Sequence, residues 1–273
     1  MAQTLARFSW RSLTLALNSP HSGKKDVLLS GSHCSFCLHR NFCKLSCDIV
    51  AKKRAAVSQN VSTDSISPLA GLDDVLKGYL FGEKKATDVA HLLWKHVIRK
   101  GDTVVDATCG NGNDTLAMAN MVKDELGKGC VYGMDIQKDA IKNTSFLLDV
   151  SLNPIERKCV KLFSICHSRM AEVLPQKNSV RLVAFNLGYL PGGNKTIITK
   201  SDTTKLALKA AKELLVPGGV ISIVAYVGHP GGREEYETVQ AFASELPVEC
   251  WVCSQIQMLN RPLAPVLLFM FKR

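Results

Sequence analysis

The run Val104-Val105-Asp106-Ala107-Thr108-Cys109-Gly110-Asn111-Gly112-Asn113-Asp114-Thr115 constrains the fold more than any other stretch of the chain. A β-branched strand ends in an acid, two glycines allow a tight turn, and a helix begins. Such a unit belongs at the carboxyl edge of a parallel sheet, where backbone approaches a ligand only if side chains are absent. A dinucleotide fingerprint needs a third glycine or alanine, and position 115 is Thr. The Gly-Lys-Ser/Thr ending of a phosphate-binding loop is also missing, so nucleotide phosphate is disfavoured as the ligand.

Short β-branched runs alternate with helical periodicity along the rest of the body. Two helices come first, over about 72–80 and 86–99, the second with Val89, Leu92, Leu93, His96 and Val97 on one side. Strands are expected at 103–106, 130–135, 160–163, 182–187 and 220–227, with helices at 114–123, 138–149, 203–215 and 234–246. Alternation of this kind makes a doubly wound, mostly parallel sheet. The end breaks the pattern. Segments 250–257 and 265–271 read as strands, and the link between them is too short for a helical crossover. The expected architecture is α/β, a seven-stranded doubly wound sheet with an antiparallel C-terminal hairpin, as in class I S-adenosylmethionine-dependent methyltransferases.

Charge locates a second division. The 273 residues carry 34 Lys and Arg against 24 Asp and Glu, a net +10. Residues 1–65 hold nine of the cations, three acids and eleven serines, and the first acid is Asp26. An Arg-rich, Ser-rich, acid-poor start has the composition of an organellar transit peptide. The chain therefore divides into a transit peptide or disordered leader over 1–65 and a methyltransferase domain over 66–273. Six of the ten positive charges leave with the leader, and four remain on a mildly basic body. Serine content favours the chloroplast; Trp10, Leu13 and Leu17 on one helical face would suit a mitochondrion. No apolar run approaches the ~20 residues of a membrane helix, so no membrane is expected among the partners.

Cysteine follows the same split. Cys34, Cys37, Cys43 and Cys47, with His33 and His39 interspersed, are zinc-ligand types in a leader that lacks the glycines of a knuckle turn. No metal is expected in the chemistry. Cys250 and Cys253 lie in an apolar, strand-like run and are expected as buried thiols.

Several side chains at the strand ends suit a particular ligand. Asp106 fits an ammonium group, and Asp135, closing the second strand with Gln137 after it, can accept both hydroxyls of a ribose. Helix capping and turn formation are the competing role for Asp106 and Asp114. His167, past the third strand, is either a packed histidine or an adenine contact. The loop Asn186-Leu187-Gly188-Tyr189-Leu190-Pro191-Gly192-Gly193-Asn194-Lys195 follows the fourth strand. It has the layout of the Asn-Pro-Pro-Tyr loop of nitrogen methyltransferases, where oxygens accept from an amino group and an aromatic ring stacks on the base. Asn186 and Tyr189 fit those two tasks. Asp202 reads as a helix cap. His229, in the glycine-rich turn after the next strand, is placed to accept a proton or contact phosphate. Lys195, Lys200, Arg233 and Arg261 are candidates for RNA backbone contacts.

The stretches DATCGNGNDTLAMA (106–119), VYGMDIQ (131–137), NLGYLPGG (186–193), TKSDTT (199–204) and GHPGG (228–232) together resemble a bacterial family. Its members were long called rRNA methylases and are associated with N-methylation of 5-aminomethyl-(2-thio)uridine at the tRNA wobble position. The resemblance runs from about residue 70 to the C-terminus, and the leader points to an organellar eukaryotic member. It implies that Asn111, Asn113, Asp135, Gln137 and His167 contact S-adenosylmethionine, beside Asp106 and the turn of Gly110 and Gly112 read from the strand end. Asn186 and Tyr189 would face the modified base, with His229 as the further candidate read from its turn. The reaction would convert an aminomethyl group into methylaminomethyl and leave S-adenosylhomocysteine. The partner would be the anticodon stem-loop of tRNA. Asn194 stands where an acid is expected in many relatives, which bears on substrate preference. Methylation of a ribosomal RNA base is the alternative within enzymes, and a catalytically silent RNA-binding module the alternative outside them. A homodimer would broaden the basic surface.

Overall fold

The computed structural model describes residues 72–273 apart from 126, 175 and 176. The expected leader, its helical face and its cysteine cluster lie outside the described residues. Helices α1 (Leu72–Phe81) and α2 (Ala86–Val97) precede a seven-stranded sheet. The strands are β1 (Thr103–Asp106), β2 (Cys130–Met134), β3 (Val160–Phe163), β4 (Val180–Leu187), β5 (Leu215–Ala225), β6 (Trp251–Ile256) and β7 (Val266–Lys272). Between them run α3 (Asn113–Val122), α4 (Lys138–Ser151), the short α5 (Pro154–Arg157), a 3₁₀ turn (His167–Glu172), α6 (Ser201–Leu214) and α7 (Gly232–Ser244).

Strand order is β3-β2-β1-β4-β5-β7-β6. The first five strands pair in parallel, and β7 pairs antiparallel to both β5 and β6. The strand order therefore reverses at β1 and β4, where a doubly wound sheet opens its ligand crevice. Successive side chains of a strand point to opposite faces, and both faces here are covered. Val104, Leu182, Val220 and Leu267 pack with α2, α3 and α4. Their neighbours Val105, Val183, Ile221 and Leu268 pack with α6 and α7.

Four sequence expectations change on contact with this architecture. On α2, Trp94 rather than His96 is the buried anchor, and its indole N–H donates to the buried Ser222 hydroxyl at 2.9 Å, which removes the polar cost of burying it. Strand β5 begins at Leu215, five residues early, because Pro217-Gly218-Gly219 is carried inside the strand across a register shift at Val180/Leu182. Arg181 spans that irregularity by donating to the Pro217 carbonyl. Cys250 and Cys253 are exposed, not buried: β6 is an edge strand whose residues Val252 to Gln255 are exposed, and Cys250 lies in the turn before it. Lys200, not Asp202, is the N-cap of α6; Asp202 lies in its first turn.

Candidate active site

The two loops singled out in the sequence meet above the strand ends. Gly112 caps α3 with φ +88°, and a Cβ there would lie 2.9 Å from the Thr144 Cα of α4. Only glycine lets the turn sit that close to the helix. Thr144 also donates its hydroxyl to the Gly110 carbonyl at 2.9 Å. Asp135, just past β2, accepts the Gly110 N–H at 3.1 Å on one oxygen and the Gln137 N–H at 2.8 Å on the other. Each oxygen keeps a second lone pair, which suits a vicinal diol. Burial raises the Asp135 carboxyl, and the backbone donors pull it back.

Asp106 is fully buried beneath the turn. It accepts the Thr115 hydroxyl at 2.6 Å and the Thr108 N–H at 3.3 Å. Burial, with Asp114 and Asp135 nearby, pushes its carboxyl up to about 7. Asp106 thus braces the glycine turn from below. Asn111 donates to the Pro191 carbonyl at 3.1 Å and accepts from Asn143 at 3.0 Å, while Leu190 reaches within 3.5 Å of where a Gly110 Cβ would stand. The loop after β4 is therefore latched onto the glycine turn. Asn113 opens α3 with its side chain exposed.

Asn186 is the most informative side chain of the site. Its backbone N–H donates to Thr108 Oγ1 at 2.7 Å, fixing the end of β4 beside β1. Its amide Nδ2 donates to Asp114 Oδ2 at 2.6 Å. A carboxylate only accepts, so this bond decides which end of the amide faces Asp114. The other end, Oδ1, is buried and has no partner among the described residues. An unpartnered buried acceptor costs about 1–3 kcal/mol, and sites tolerate that where a ligand donor completes it. The second oxygen of Asp114 meets His91 Nε2 on α2 at 2.6 Å. The capping role considered for Asp114 thus gives way to an orienting one.

Tyr189, three residues on, is 40% exposed, with the His229 ring T-shaped to it at 5.9 Å and Lys195 Nζ 5.8 Å from its ring centre. Tyr226 packs against Gly188, where a Cβ would lie 3.4 Å from the tyrosine Cβ. Burial and the Asp114 charge hold the Tyr226 phenol above its ordinary value. His229 Nδ1 lies 2.9 Å from the Pro230 carbonyl, so in the neutral ring Nδ1 is the donor and Nε2 the acceptor. That Nε2 is buried and has no partner among the described residues, 2.9 Å from a Cβ position at Gly232 and 3.7 Å from one at Gly188. Asn194 accepts the Thr196 N–H and hydroxyl at 2.9 and 2.8 Å, a turn that an acid would form equally well.

His167 stands apart from this group. It is buried, packs edge-on to Phe185, and directs Nε2 to Thr203 at 3.3 Å and Thr204 at 3.5 Å on α6. Burial lowers it to about 4, so it is neutral. Sequence reasoning missed the residues that hold the loop after β4 in place. Glu235, buried in α7, accepts the hydroxyls of Thr199 and Thr204 at 2.6 Å each. His91 also went unseen, because a partner 23 residues away on another helix leaves no local pattern. Among the described residues no three His, Cys, Asp or Glu side chains come together as a metal site, and no helix is long and apolar enough to cross a membrane.

Comparison with known proteins fits this geometry. A family model described as putative rRNA methylase matches residues 131–272. The chain is 64% identical over 226 residues to the chloroplastic tRNA (mnm(5)s(2)U34)-methyltransferase of Arabidopsis thaliana, covering 81% of this chain and 82% of that one. Among solved structures, a putative rRNA-methylase from Clostridium thermocellum is 40% identical with a TM-score of 0.64, over 70% of this chain and 98% of that one. A putative methyltransferase from Streptococcus mutans in complex with SAH is 30% identical with a TM-score of 0.61, over 70% of this chain and 99% of that one. The fold is that of a class I methyltransferase, and the chain belongs to the putative rRNA methylase family and is a relative of the chloroplastic tRNA methyltransferase.

Proposed function

We propose that the protein N-methylates the 5-aminomethyl group of the wobble uridine in tRNA, within the chloroplast, using S-adenosylmethionine. The relative's name supplies tRNA, the modified position and the compartment, and SAH in the Streptococcus neighbour supports the cofactor. The domain division at about residue 65 belongs to the same reading, with the preceding segment as the transit peptide. The observation that carries the reaction is the buried, unpartnered Oδ1 of Asn186, held in that orientation by Asp114.

The residues present fit the cofactor. Asp135 takes the ribose hydroxyls, and Gly110, Asn111, Gly112, Asn113 and Gln137 form the cradle around it, with Asp106 fixing the turn from below. His167 supports the cradle through Phe185 and α6. When bound, S-adenosylmethionine supplies a methyl group activated by a positive sulfur. Everything else falls to the side chains. The acceptor amine is protonated in water, with a pKa near the ~10.4 of lysine. A pocket walled by Tyr189 and Tyr226 disfavours the charged form by desolvation. Asn186 Oδ1 then accepts an N–H of the neutral amine and aims its lone pair away from the amide. Because Oδ1 is buried here, the amine reaches it only when the groups around it move. Tyr189 stacks on the uracil, and His229 holds Tyr189 at its edge.

Labelled methyl transfer to size-fractionated RNA tests the choice of substrate. Label is expected in the tRNA fraction. Label confined to ribosomal RNA would replace this reading with a ribosomal one. Cofactor binding without transfer to any RNA would leave a silent RNA-binding module.

A further inference from the structure

Charge is segregated along the carboxyl edge of the sheet. The ends of β1 and β2 and the first turn of α3 carry Asp106, Asp135 and Asp114. Segments 186–200, 226–233 and 257–265 carry Lys195, Lys200, Arg233 and Arg261, and not one Asp or Glu. Among the described residues none of these four cations is in an ion pair. Acids begin just beyond these segments, at Asp202, Glu234 and Glu235, and Glu83 follows α1. The loops themselves carry only cations, which suits a polyanion there, while the carboxylates by β1 and β2 suit a cationic cofactor.

The third of these segments, between β6 and β7, lies at this same edge, because Val266 pairs with Ala225 at the end of β5. It is braced on three sides. Tyr79 of α1 donates to the Pro265 carbonyl at 3.4 Å, and Arg233 of α7 to the Pro262 carbonyl at 3.3 Å. The Leu263 carbonyl lies 3.5 Å from where a Gly228 Cβ would stand. The Arg261 guanidinium rests over Gly82, which has φ +82° and would place a Cβ 2.9 Å from Nη1. On this fixed frame apolar side chains point outward: Leu259 is 93% exposed, Leu263 71% and Phe81, beside Gly82, 77%. A braced loop that keeps such side chains in water marks a contact surface.

We infer that segment 258–264 with Phe81 is a second RNA platform, which takes a nucleotide next to the methylated one. Phe81, Leu259 and Leu263 lie against its base, and Arg261 holds its phosphate. Apolar side chains for base faces and cations for the backbone are what a single-stranded loop requires. The path from the reaction site is short: Gly188 touches Tyr226, and Gly228, two residues on, touches Leu263. The inference rests on the tRNA reading above and adds where the flanking nucleotide sits.

The test is filter binding of an anticodon stem-loop RNA to the full chain, for wild type and for the Arg261→Gln/Leu263→Ser double variant. Both side chains are exposed, so the variant is expected to melt with the wild type. RNA affinity is expected to fall about tenfold, with the salt dependence reduced by about one phosphate contact and SAH affinity unchanged. Unchanged RNA affinity overturns the platform. So does a variant that changes only the sedimentation of the protein, since the surface would then pair two copies of the chain. Binding is read without catalysis, so weaker binding by the variant supports the platform even if the wild type methylates no tRNA, an outcome that would overturn the proposed function alone.

Discussion

Replacing Asn186 by Ala is expected to lower turnover about 10²–10³-fold while leaving S-adenosylmethionine affinity near that of wild type. That size is typical of removing one oriented hydrogen-bonding group from a transition state. The cause lies in the geometry. The Asn186 side chain hydrogen-bonds Asp114 rather than Asp135, and its Oδ1, unpartnered among the described residues, is the acceptor proposed to orient the amine. Single-turnover kinetics beside cofactor titration calorimetry separate the two effects. Asp114→Asn provides the internal check. An amide in place of the carboxylate can face either end of Asn186, so the orientation is lost without removing Asn186 itself. It is expected to reproduce the turnover defect in weaker form, again with cofactor affinity intact. If either variant weakens cofactor binding as much as turnover, the separate role assigned to Asn186 is wrong.

The second large effect is expected at Asp135. Asp135→Ala removes the acceptor proposed for the ribose hydroxyls together with the bonds from the Gly110 and Gln137 N–H groups. Two hydrogen bonds to a charged group contribute about 1.5–3 kcal/mol each. Their joint loss corresponds to about 10²–10⁴-fold in affinity, enough to remove a binding signal from ordinary calorimetry. Asp135→Asn keeps one acceptor oxygen and is expected to fall between the two. Retained binding in Asp135→Ala would move the cofactor away from the end of β2.

How much of this could be read from the sequence depends on how local the cause is. The first strand and its glycine turn were legible because the acid, the glycines and the helix start are contiguous. The antiparallel end followed from a link too short to cross the sheet. Strand β5 was read late because Pro217-Gly218-Gly219 signals a turn locally, while pairing with β4 carries the strand through it. Cys250 and Cys253 were misplaced because composition cannot tell an edge strand from a central one. The bond that defines the site, Asn186 to Asp114, joins residues 72 positions apart. Each residue was visible alone, but their pairing exists only once β4 lies beside β1. The clamp of Glu235 on Thr199 and Thr204 escaped for the same reason.

The most direct test is to incubate the protein with S-adenosylmethionine and tRNA carrying 5-aminomethyluridine at the wobble position, and to analyse the nucleosides by mass spectrometry. This nucleoside is expected to gain one methyl group, on its amine, and Asn186→Ala to slow the gain. A wobble nucleoside left unchanged by a protein that still binds S-adenosylmethionine would contradict the proposed function.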